Sequence, residues 1–173
     1  MKDMKRSFAI LSVAMTLLLT VSAQNPKLNP LNYGGKMYVS AMEVLTTPRY
    51  VSYEDHAILS SEMTVPVMEV TAVNFDFEKR VVVLADQEIP FSKAHVKEYS
   101  SDYFKTYVIY MDPLDGADKM ELVWPEIGEP YLLQITPDEG KVSICKMKLS
   151  RKPVAASGEE ALLQLLNSLG GNY

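Results

Sequence analysis

The chain has 173 residues, 47% of them hydrophobic and 23% charged, with a formal net charge of −5 at pH 7. This balance fits a globular chain and excludes a disordered or collagen-like one. The acidic charge, with no basic run, argues against nucleic acid or an anionic membrane surface as a partner, because phosphate contacts dominate such binding.

Residues 1–23 read as a secretory signal peptide. Lys2, Lys5 and Arg6 make a positive start, residues 8–21 are apolar and uncharged, and Val21-Ser22-Ala23 presents small residues for cleavage before Gln24. The apolar run is short for a membrane span, which needs about 20 residues. Cleavage removes Lys2, Lys5, Arg6 and Asp3, a net +2, so the mature charge is −5 − 2 = −7. Residues 24–173 make one ordinary domain, large enough to bury a core without disulfides. Cys145 is the only cysteine, and no Asn-x-Ser/Thr sequon occurs. Together these features predict an exported bacterial envelope protein, in the periplasm, at the cell surface or in the medium. No stable membrane insertion is expected after cleavage.

Residues 24–35 hold Asn25-Pro26, Asn29-Pro30 and Gly34-Gly35, which favour extended chain and turns. They read as an extended or disordered leader that Tyr33 and Leu31 pin to the body. From Lys36 the β signals dominate, and residues 36–173 read as one domain. A first strand covers residues 37–45, and residues 49–53 form a short β-prone run. Residues 55–63 fit either an irregular strand or a helical turn or two. In residues 67–77, Val67, Val73, Phe75 and Phe77 share one parity. Glu78-Lys79 separates this run from Val81-Val82-Val83-Leu84, which reads as a hairpin. Residues 89–99 are a weaker strand.

Residues 103–149 carry the clearest pattern. Residues 103–111 are rich in aromatic and β-branched types. Residues 119–124 alternate, with Met120, Leu122 and Trp124 on one face. Residues 131–135 place Tyr131, Leu133 and Ile135 on one face. Residues 142–149 change parity near Ile144-Cys145, which implies a bulge or a strand start buried on both faces. Polar loops at 112–118, 125–130 and 136–141 space these runs as an antiparallel meander. A capping box at Ser157 and Glu160 opens an amphipathic helix over 158–169, with Leu162, Leu165, Leu166 and Leu169 on one arc. The expected fold is mainly β: a meander of roughly six to nine strands forming a barrel or sandwich, with one C-terminal α-helix. The alternative is α+β, with the helix on one face of an antiparallel sheet.

Few residues suggest chemistry. His56 and His95 lack metal spacing. Cys145 sits inside a β run, where Lys146 points to the opposite face, so it reads as a small core hydrophobe rather than a nucleophile. Asp112, Asp115 and Asp118 surround Gly116 and are candidate calcium ligands, against a plain solvated turn; no other cofactor is indicated. Tyrosine is abundant, and Tyr103, Tyr107, Tyr110, Trp124 and Tyr131 are the candidate ligand or partner face, against half-buried strand residues.

Three functions remain. The first is a non-enzymatic binding or assembly module for a protein or glycan. The second is a carrier of a small apolar ligand in a β-barrel. That plan resembles the lipocalins in architecture alone: the Gly-x-Trp signature is replaced by Gly35-Lys36-Met37, and Trp124 lies far downstream. The third is a hydrolytic enzyme, which would need His56 or His95 to meet carboxylates in a cleft.

Overall fold

A computed structural model describes residues 25–47, 53, 63–65, 67, 69–114, 118–138, 141–154 and 166. Its strands are β1 (Gly35–Thr47), β2 (Met63–Val65), β3 (Ala72–Asp76), β4 (Val81–Leu84), β5 (Gln87–Ser100), β6 (Lys105–Pro113), β7 (Lys119–Pro125), β8 (Tyr131–Asp138) and β9 (Lys141–Ser150). From β3 to β9 each strand pairs antiparallel with the next, and β9 pairs back onto β1. β2 and β3 lie end to end along one edge of β1, β2 against residues 42–44 and β3 against residues 35–38. They therefore fill one place in the wall. The result is a closed eight-stranded antiparallel meander barrel.

The architecture is mainly β, and of the expected barrel or sandwich it is the barrel. Among the described residues there is no α-helix of seven or more residues. The expected helix over 158–169 lies outside the described residues except for Leu166, which is helical and 55% exposed. The signal segment 1–23, His56 and most of residues 48–62 also lie outside them.

Closure rests on the β1–β9 seam. Its register shifts between Val39 and Ala41, where Ser40 bulges and donates its Oγ–H to the Lys148 carbonyl at 3.2 Å. A bulge inserts one residue, so the side-chain alternation changes phase. Met37 and Val39 face inward before it, and Met42 packs against the same inward cluster after it. Without the shift, one half of β1 would turn its apolar side to the outside. β9 needs no bulge, because its pairing with β8 is continuous. Ile144 faces outward and Cys145, Met147 and Leu149 inward, so the strand is apolar on both faces where it begins.

The inward side chains form one packed cluster. Val39, Val73, Val82, Ile109, Met111, Met120, Leu122, Leu132, Met147 and Leu149 are each 0–2% exposed. An eight-stranded barrel is just wide enough for its own side chains to fill. Around this cluster the inward Met42, Leu84, Ile89, Ala94, Val96 and Cys145 are partly buried.

A second cluster lies outside the wall on β1 and β6–β9, formed by Leu45, Val108, Tyr110, Val123, Leu133, Ile135 and Ile144, with Tyr53 packed on it. Burial on both faces explains the near-continuous apolar runs of β6 and β7. β5 is different: its outward Lys93, His95 and Lys97 are exposed.

Local chemistry moves several expected boundaries. β6 begins at Lys105 rather than Tyr103, because Ser101 closes a turn: its N–H donates to the Phe104 carbonyl at 3.0 Å and its Oγ receives the Phe104 N–H at 3.3 Å. The β4–β5 turn is the pair Ala85-Asp86, with Ala85 at φ 53°, a position where glycine is the usual signal. Residues 25–33 are not extended. They form two 3-10 turns, Pro26–Leu28 and Pro30–Tyr33, each capped by an asparagine side chain that accepts a backbone N–H. Proline suits the first position because its missing N–H is not needed there.

Outside the seam, Glu43 faces Lys146 and Lys148 at 3.3 and 3.2 Å. Burial alone would raise the Glu43 carboxyl, but hydrogen bonds and charge from the two lysines outweigh it and hold the pKa below 4.5. A carboxyl depressed in the folded state stabilises above its unfolded pKa and loses that contribution as the pH falls through the folded value. Glu43→Gln is therefore expected to cost roughly 1 kcal/mol at neutral pH. Urea titrations from pH 7 to pH 3 should show the wild-type advantage intact above 4.5 and shrinking below it.

Candidate interaction surface at the closed end of the barrel

The meander sends its connections alternately to the two ends. The β3–β4, β5–β6 and β7–β8 turns, the start of β1 and the end of β9 share one end. The 3-10 leader folds across this end and shuts it.

Tyr33 is the plug. It is 6% exposed, and its ring meets Trp124 edge-on at 5.4 Å and Tyr107 at 6.0 Å. Its hydroxyl donates to the Lys27 carbonyl at 2.5 Å, which fixes the two 3-10 turns against each other. Gly35, two residues after the plug, takes φ +111°, a conformation that lets the chain turn from the leader into β1. Burial, with the neighbouring Tyr107 and Glu98, pushes the Tyr33 hydroxyl up to about 12. The leader is also tied at its rim: Asn25 Nδ2 donates to Glu98 at 3.4 Å, and Lys27 pairs with Glu126 at 3.6 Å and lies 5.4 Å over the Tyr107 ring. On the other side, Arg151 lies 5.9 Å over the Trp124 ring.

Around this plug, large apolar side chains stand out into solvent. Tyr103 is 88% exposed and Phe104 53% in the β5–β6 turn, and Ile127 is 75% exposed in the β7–β8 connection. Leu28 and Leu31 of the leader and Val154 after β9 are exposed as well. The turns are braced together, since the Glu126 N–H donates to the Lys105 carbonyl at 2.8 Å. A shallow cleft of about 290 Å³ opens beside Leu31, between Gly34-Gly35 and residues 74–78. Scattered exposed apolar residues are ordinary, but a group on one end of a molecule marks a contact surface.

The charge of this end is balanced. Lys27, Lys79, Arg80, Lys105, Arg151 and Lys152 stand against Asp76, Glu78, Glu98, Asp102, Glu126 and Glu129 over residues 25–34, 76–80, 98–105, 124–131 and 150–154, a net of zero. Several of these charges are already paired, as Lys105 is with Glu98 at 2.9 Å and Lys79 with Asp76 at 3.3 Å.

The tyrosine-rich residues singled out from sequence do not form one face. Tyr107 and Trp124 point inward and seat the plug. Tyr110 and Tyr131 are on the outer wall. There Tyr99 and Tyr110 share a hydroxyl contact of 2.5 Å, Tyr53 packs on Tyr99 at 5.0 Å, and Lys146 lies 5.2 Å over Tyr131. Only Tyr103 stands on the exposed rim. Phe104 and Ile127, which complete that rim, were read from sequence as part of the strand over residues 103–111 and of the loop over 125–130.

The calcium candidates are divided as well. Asp112 pairs with Lys93 at 3.5 Å, Asp118 accepts from Gln134 Nε2 at 2.6 Å, and Asp115 lies outside the described residues. Among the described residues, no group of three or more histidine, cysteine and acidic side chains is placed to hold a metal ion. Cys145 packs against the inward cluster, and burial pushes its thiol up. His95 stacks on Tyr110 at 5.1 Å on the opposite side of the wall, so the two do not meet. The buried Glu121 pairs with Lys119 at 2.7 Å on the outer face.

The plug makes a measurable claim. Tyr33→Ala should cost about 3 kcal/mol, the usual loss for truncating a buried aromatic. It should also release the leader, so that limited proteolysis cuts after Lys27 much faster than in the wild type. Tyr33→Phe, which keeps the ring packing, should cost about 1 kcal/mol. No protein-family model, curated protein or solved structure matches this chain.

Proposed function

We propose that this is an exported, non-enzymatic interaction module of a bacterial envelope, and that its contact surface is the rim of the closed barrel end. The observation that carries the reading is the grouping of Tyr103, Phe104 and Ile127 on braced turns around a plugged end. Aromatic and aliphatic side chains held on rigid turns lose little entropy on binding, which is what a contact surface needs. The fully buried inward cluster supports the same reading, because that part of the fold acts as a scaffold.

A photo-crosslinking residue placed at Phe104 or Ile127 in the native host tests this. Adducts are expected from both rim positions and not from Lys93, which is exposed on the outer wall away from the rim. Equal labelling from all three positions, or none from the rim, would overturn the proposal.

A second reading, a carrier of a small apolar ligand, draws on the inward methionines Met37, Met111, Met120 and Met147. Methionine is unbranched and adaptable, so such an interior can repack around a guest more readily than one of β-branched residues. Native mass spectrometry of protein purified from its own envelope separates the two. The module reading predicts a chain mass with no small molecule retained, and a retained apolar compound would favour the carrier.

A further inference from the structure

The rim also indicates what kind of partner it meets. We infer that the closed end of the barrel seats on the surface of a lipid bilayer, with Tyr103, Phe104 and Ile127 entering the headgroup region. The inference rests on the rim being the contact surface, as proposed above, and adds the identity of the partner.

Two features favour lipid over a folded partner. First, the largest exposed apolar side chains, Tyr103, Phe104 and Ile127, stand on two turns, the β5–β6 and β7–β8 connections. Tyrosine and phenylalanine on such turns suit the membrane interface, where one part of a ring is apolar and the other wet. Second, the charges of this end sum to zero, although the mature chain carries −7 by its sequence. The acidic excess that would repel a membrane is therefore carried elsewhere on the molecule. Binding of this kind scales with buried apolar area and depends little on ionic attraction.

The test is flotation of the protein, as exported by its host, with phosphatidylcholine vesicles. Three variants accompany the wild type. One is the triple substitution Tyr103→Ser, Phe104→Ser, Ile127→Ser. Another is Leu114→Ser, an exposed apolar residue at the opposite end of the barrel. The third is Tyr103→Trp, which should bind at least as well and report insertion by a blue-shifted emission. Thermal unfolding shows that each variant is folded. The wild type and Leu114→Ser are expected to float, and the triple variant to lose at least tenfold in partition. Raising salt from 0.05 to 0.5 M, or adding anionic lipid, should change partition less than twofold. Flotation that the triple variant leaves unchanged would overturn the inference. No flotation, with rim crosslinks to a protein or a sedimenting dimer that the triple variant abolishes, would overturn the lipid assignment and leave the interaction reading standing. No flotation and no rim adducts would overturn both.

Discussion

The structure depends on one strand meeting two neighbours correctly. β1 must pair with β9 on one edge and with β2 and β3 on the other, and it must present its apolar side inward along its whole length. A continuous two-residue alternation does not achieve this here. The bulge at Ser40 does, by changing the phase of the strand at the point where its second partner changes from β3 to β2. Closure pairs β9 with β1 and so covers the long edge that β1 would otherwise present, which limits the unpaired N–H and C=O groups that invite aggregation. Glu43 adds an ion-paired clasp on the outside of the same seam.

Closure also decides how the interior is used. With eight strands the radius is small, and the methionine, valine and leucine side chains that face inward occupy it. One end is shut by Tyr33, whose ring is held by Trp124 and Tyr107. The wall is apolar on both faces over β6–β9, so part of the outside is core as well. What remains for recognition is the exposed half of the wall, which is charged, and the two ends. At the closed end the large apolar groups are turned outward on braced turns.

Much of the barrel was legible from local patterns. The alternations Met120-Leu122-Trp124 and Tyr131-Leu133-Ile135 each mark one face of a strand, and the structure keeps each set together. Alternation alone did not say which face was which: Trp124 turns inward and Tyr131 outward, because that depends on pairing across the sheet. The tyrosines misled for the same reason. Tyr107 and Tyr110 have opposite parity, and since both faces of β6 are covered, neither stands free. The rim was hidden by strand propensity, which extended β6 back over Tyr103 and Phe104, while the Ser101 turn that excludes them acts through a side-chain hydrogen bond. Tyr33 was named as a pin, but the 3-10 turns that present it need the asparagine caps to be recognised as structure. Closure itself has no local signature.

The seam also sets the timing of folding. Glu43 and Lys146 face each other across 103 positions of sequence. Nothing can satisfy the free edge of β1 until the last strand has been made and delivered. Contacts of such long range must recover the loop entropy before they stabilise anything, which places this topology among slow folders. A chain emerging with its amino end first would wait with the seam edge of β1 exposed, and a nascent chain cut short of β9 has no smaller barrel to fall back on. For this protein, synthesis to the final strand is the event that commits it to the folded state.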